Sequence, residues 1–244
     1  MSTVFTTLPV AEKLPTKKQP LSGLFLDRLG MAGGIGFVVL FFTAGSLVGD
    51  PPAEGPYQLM ADFYKQNEGA FVKGVYLQAV ALMFLTLFAG SLSSLVRRAD
   101  GGKGWLPGLI LGTALVTVSL MTVSQACMGA AALMAGRNAS PELIRGMDEI
   151  AHIIAHLCAV PLGVFLLAAS AGMLHYRLAP RWLGYLGLLP GITLVLVAGT
   201  FSSRHLLHGV GVLALLLFML WNVLLGISLL RRSGKAGAGR LPLL

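Results

Sequence analysis

Residues 74–96 read GVYLQAVALMFLTLFAGSLSSLV, a run with no charged side chain that is closed by Arg97 and Arg98. A bilayer core about 30 Å thick needs about 20 apolar residues in a helix that crosses it. This stretch meets that length and ends on two cations suited to the headgroup layer. Five more stretches have the same character: near Gly30–Gly49, Trp105–Ala135, Glu149–Leu174, Trp182–Phe201 and His205–Leu230. The third exceeds what a crossing requires, so tilt or extension into the interface is expected. The pattern predicts an all-α, polytopic bundle of six transmembrane helices. It divides the chain into a disordered tail at 1–28, a membrane domain at 29–232 and a second tail at 233–244.

Composition agrees. The 244 residues are 55% hydrophobic and only 11% charged, with a mean hydropathy of +0.78, whereas a water-soluble chain keeps roughly a quarter of its residues charged. Residues 1–20 lack apolar periodicity and contain Pro9, Pro15, Lys17, Lys18 and Pro20, a polar tail that cannot bury a core. That tail is also too long for a cleavable signal peptide, so the first apolar run reads as a retained anchor.

The net charge of +8 is explained by where the charges fall rather than by a nucleic-acid partner. With the N-terminus placed in the cytoplasm, the cytoplasmic segments hold thirteen Lys or Arg and three acids, a net +10. The opposite side holds five bases and seven acids, a net −2, and the two together give the +8 of the whole chain. Lys and Arg accumulate on the cytoplasmic side of membrane proteins, so both termini are expected inside, in a plasma (inner) membrane of bacterial style. The basic tails then face anionic headgroups. Lipid is the expected partner, with other membrane-protein subunits or a homo-oligomer beyond it.

The connection Asp50–Lys73 is the longest. Pro51, Pro52 and Pro56 end the first helix. Residues 57–71 then set Leu59, Met60, Phe63, Tyr64 and Phe71 among Asp62, Lys65, Gln66 and Glu68, the pattern of a short amphipathic helix at the interface. It reads as an ordinary interfacial cap, with a lid over a cavity as the sharper alternative. Ser140-Pro141-Glu142 supplies an N-cap residue followed by proline at the first helical position, so the fourth long helix is expected to start there. Gly30, Gly33, Gly34 and Gly36, then Gly129 to Ala132, then Gly209 and Gly211 mark places where helices can approach closely.

Two motifs resemble a known family. Ala179-Pro180-Arg181-Trp182-Leu183-Gly184-Tyr185-Leu186-Gly187 is similar to the "PRWLGWLG" signature of the DUF4386-like family of bacterial multi-pass proteins. Asp62-Phe63-Tyr64-Lys65-Gln66-Asn67-Glu68-Gly69-Ala70 resembles that family's stretch before its second span. The resemblance implies six spans with both ends inside. It implies no catalytic residue.

Candidate chemistry rests on histidines. His152 and His156 lie near the entrance of the fourth span, and His205 and His208 open the sixth. Asp148, His152 and His156 recur every four residues and share one helical stripe. Ionisable groups inside a membrane face the bundle interior or a wet cavity. One reading is a divalent-metal site of Asp148, His152, His156, His205 and His208, which would imply hydrolysis. Another is haem b between His156 and His208, which would imply electron transfer. Proton-coupled or pH-sensing chemistry is a third. The plain alternative, histidines that snorkel and hydrogen-bond at the boundary, carries more weight, because HxxxH arises often by chance and no HExxH is present.

Cys127 and Cys158 read as small buried apolar residues, with a disulfide or soft-ligand pair as the alternative. Met121, Met128, Met134 and Met147 read as packing. The midspan amides Gln78, Gln125 and Asn222 are expected to bond between helices, and His175 to be interfacial. The function expected from these residues is that of a non-enzymatic integral membrane protein. It would act as an accessory subunit or as a small-solute or stress-related membrane component. The alternative is a haem- or metal-dependent membrane oxidoreductase or hydrolase.

Overall fold

The computed structural model describes residues 21–49, 51–52, 55–198 and 206–238; side chains are described within 29–231 of these, apart from 206–208. Seven helices follow in order: α1 (Leu21–Val48), α2 (Tyr57–Gln66), α3 (Glu68–Ala99), α4 (Leu106–Gly136), α5 (Pro141–Tyr176), α6 (Arg181–Val197) and α7 (Leu206–Ala238). Two ends differ from the tails expected at 1–28 and 233–244. Helix α1 begins at Leu21 and α7 continues to Ala238, because neither stretch contains a proline to stop it.

The chain is an all-α, polytopic membrane bundle. Among the described residues five helices are long and apolar enough to cross a bilayer: α1 over Leu29–Val48, α3, α4, α5, and α7 over Gly209–Arg231. Helix α6 is apolar but has only 17 residues, about 25 Å at 1.5 Å per residue. Helix α5, with 36 residues, is about 54 Å long and must stand well clear of a 30 Å core.

The long helices pack in chain order, and α7 returns to α1, which closes a ring in the order α1, α3, α4, α5, α6, α7. Small residues bring neighbours together. A Cβ on Gly33 would lie 2.7 Å from the carbonyl oxygen of Phe84, and one on Gly163 would lie 2.7 Å from that of Gly191. At these places backbone meets backbone, α1 on α3 and α5 on α6.

Trp221 sits at the centre, fully buried. Its ring meets Phe88 of α3 and Phe165 of α5 edge-on, with centroids 6.2 and 6.3 Å away. Its Nε1–H donates to the carbonyl of Leu183 in α6 at 3.1 Å. One side chain of α7 therefore ties three other helices, and the quadrupoles of the rings favour the edge-on contacts.

A second apolar cluster lies at the end of the bundle that carries α2. Met60, Ala61 and Tyr64 pack with Phe71 of α3, Ala131, Ala132 and Ala135 of α4 and Ile144 of α5. We call this the cap end. The other, basic end carries Arg97, Arg98 and Arg181 at its helix ends and Lys103 and Arg177 in its turns.

Candidate functional site

Helix α2 is built as its sequence implies, with one correction. The amphipathic segment expected at 57–71 is two helices. Helix α2 stops at Gln66, and Asn67 (φ −109°, ψ 14°) breaks the chain before α3 starts at Glu68. The Asn67 side chain donates to the carbonyl of Phe63 at 2.8 Å, and its backbone N–H bonds the same oxygen at 3.1 Å. Such local bonds compete with helix continuation and favour a turn. The apolar periodicity runs across the break, since Phe63 and Phe71 pack on one another at 6.0 Å.

Beneath α2 lies the only buried carboxylate among the described residues, Asp148, at 5% exposure. The hydroxyl of Tyr64 donates to its Oδ1 at 2.5 Å. Burial pushes the Tyr64 phenol above its ordinary value, and the hydrogen bond to Asp148 and that residue's negative charge push it further. The phenol is therefore held as a donor, and the carboxylate accepts from it. Two further contacts fix the same helix. Lys65 Nζ donates to Asn138 Oδ1 at 2.6 Å, and the Arg145 guanidinium lies 5.6 Å from the Tyr57 ring centroid. Asn138 itself has φ 55°, a left-handed conformation that asparagine tolerates. The underside of α2 is filled by the apolar cluster, so it caps the bundle end directly.

Helix α5 starts at Pro141 with Ser140 at the N-cap, although the serine hydroxyl makes no capping bond. From there Asp148, His152 and His156 do form one stripe. His152 Nδ1 lies 2.9 Å from the carbonyl oxygen of Asp148 and 3.4 Å from its Oδ2. His156 Nδ1 lies 2.9 Å from the carbonyl of His152. A carbonyl can only accept, so each Nδ1 donates in these contacts. The His152 side chain is 54% exposed. The stripe thus offers one buried carboxylate, already held by Tyr64, followed by an exposed imidazole a turn away.

The larger constellation lies partly outside the described residues. Among the described residues no three His, Cys, Asp or Glu side chains come together to hold a metal ion. His205 lies outside the described residues, as does the side chain of His208. Cys127 and Cys158 are free thiols. Cys158 is buried and points its Sγ at the carbonyl of Thr117, 3.4 Å away across α4 and α5. Met128, Met134 and Met147 pack against the cap-end cluster, and Met121 against the central core. Asn222, expected to bond between helices, instead donates to Phe218 one turn back in its own helix at 2.9 Å. His175 stacks edge-on with Tyr176 at the basic end, centroids 4.6 Å apart.

The residue that sequence reasoning left out of the site is Tyr64. Its one sequence signal is a phenol placed on the apolar face of α2 beside Met60 and Phe63. Comparison of the chain with known protein families, characterised proteins and solved structures finds no match.

Proposed function

We propose that the chain is a non-catalytic integral membrane component with six crossings, α6 being the fifth, and with both termini in the cytoplasm. It acts as an accessory subunit or as a small-solute or stress-related membrane component, and its DUF4386-like motifs imply the six spans with both ends inside. The observation that carries this reading is the engagement of Asp148. The one buried acid of the candidate site is closed by Tyr64 of a neighbouring helix, and that use makes it a structural tie. Charge supports the orientation. The basic end collects Arg97, Arg98, Lys103, Arg177 and Arg181, while the cap end carries Asp62, Glu68, Glu142, Asp148 and Glu149, and Lys and Arg mark the cytoplasmic side. Bilayer lipid and other membrane subunits are the partners.

An absorption spectrum and elemental analysis of one clean preparation test the reading. Neither a Soret band nor a stoichiometric metal is expected. A Soret band lost in His156→Ala or His208→Ala would overturn it in favour of a haem protein. One metal ion per chain, lost in His152→Ala, would overturn it in favour of a metalloenzyme.

A further inference from the structure

Towards the basic end, the surface between α1, α3 and the start of α4 is hollowed into a groove of about 340 Å³. Leu29, Gly30, Leu87, Gly90, Ser94 and Leu111 line it. The hollow exists because α3 lacks a side chain at Gly90, where a Cβ would meet nothing within 4 Å. Its α1 wall is drawn close because the Ser91 hydroxyl occupies the notch that Gly30 leaves.

Along α3, Met83, Leu87, Gly90, Ser94 and Arg97 recur at intervals of four, three, four and three, so they share one face. Met83 and Leu87 are exposed on that face. Arg97 stands one turn beyond Ser94 and is exposed; Lys103 is exposed in the turn that follows. Neither makes an ion pair among the described residues. The acid of the same turn, Asp100, is occupied. Its Oδ1 accepts from the Tyr176 hydroxyl at 2.5 Å, and its Oδ2 accepts the backbone N–H of Gly104.

From Thr86, which also lines the groove, to Ser94 the helix rises about 12 Å, close to the 15 Å depth of one leaflet's hydrocarbon. A mostly apolar trough of leaflet depth, with Arg97 one turn beyond it on the same helix face and Lys103 in the turn that follows, matches an amphiphile that has an acyl chain and an anionic head. We propose that this groove holds one anionic phospholipid of the adjacent leaflet, its chain lying over Gly90 and its phosphate against Arg97 and Lys103. A second copy of the chain fits less well. A two-fold contact on this face would bring the Arg97 and Lys103 cations of both copies together.

The test is native mass spectrometry of the full-length protein in detergent with equal amounts of phosphatidylglycerol and phosphatidylcholine. Detergent has no sidedness, so a failure here is separate from a failure of the orientation proposed above. The wild type is expected to retain one phosphatidylglycerol per chain in preference to phosphatidylcholine. Excess glycerol phosphate should leave it bound. Gly90→Leu fills the trough and should lose the lipid, whereas Gly45→Leu, also in open space but at the cap end, should keep it. Arg97→Ala with Lys103→Ala should reduce the preference for the anionic lipid by about fivefold for each cation removed. Equal retention of the two lipids by the wild type would overturn the proposal. So would unchanged retention in the double variant, or displacement by glycerol phosphate alone. If Gly90→Leu does not fold, the double variant decides.

Discussion

The hydroxyl of Tyr64 and the carboxylate of Asp148 meet at 2.5 Å across 84 positions of sequence, with both side chains buried. This bond joins a ten-residue surface helix to the longest helix of the bundle. Tyr64→Phe keeps the ring and removes the donor, leaving a buried carboxylate oxygen short of a partner. We expect a loss of about 1–3 kcal/mol, read as a lower melting temperature in detergent and as faster amide exchange confined to α2. Gln58→Ala, which removes an exposed contact to Asp62, should leave both unchanged.

The same bond gives the cap a pH dependence whose sign follows from the phenol. Burial, followed by the bond to Asp148 and its charge, raises the proton affinity of Tyr64 in the folded protein above the ordinary 10.0. The folded state therefore holds this proton more tightly than the unfolded chain does. The contribution is intact below pH 10 and is lost as pH rises above that value. Melting of wild type and Tyr64→Phe compared over about pH 9 to 11 should show the wild-type advantage shrinking only in the upper part of the range. A constant advantage would mean that the phenol is not the titrating group.

Glycines at helix contacts and glycines facing outward should respond to alanine with opposite signs. Gly163→Ala would place a methyl group 2.7 Å from the Gly191 carbonyl oxygen and from Val195 Cγ2, forcing α5 and α6 apart. A cost of about 1–3 kcal/mol is expected. Gly112→Ala meets nothing within 4 Å and should be neutral, or stabilising by up to about 1 kcal/mol, because alanine loses less backbone freedom in a helix. Thermal unfolding of the two variants in one detergent makes the comparison.

Hydropathy alone located the cores of α1, α3, α4, α5 and α7, since apolar runs of crossing length leave few other structures open. Pro141 marked the start of α5 correctly. The break at Asn67 was not legible, because the apolar spacing of Phe63, Tyr64 and Phe71 continues through it. Nor was the role of Asp148. Its stripe with His152 is real, at 3.4 Å between Nδ1 and Oδ2, but the partner that defines the site lies 84 residues away. Periodicity along one helix carries no information on which residue of another helix will face it. Asn222 misled for a similar reason: an amide in an apolar helix can satisfy its donor on its own backbone, as it does at Phe218.

In the proposed arrangement lipid surrounds these helices, and the cap end and the basic end face opposite sides of a membrane. Single cysteines at Glu142 and at Lys103, in a chain with Cys127 and Cys158 replaced by alanine, test this with an impermeant maleimide on intact cells. Glu142→Cys should be labelled at once, and Lys103→Cys only after permeabilisation. Labelling of both from the same side would rule this arrangement out.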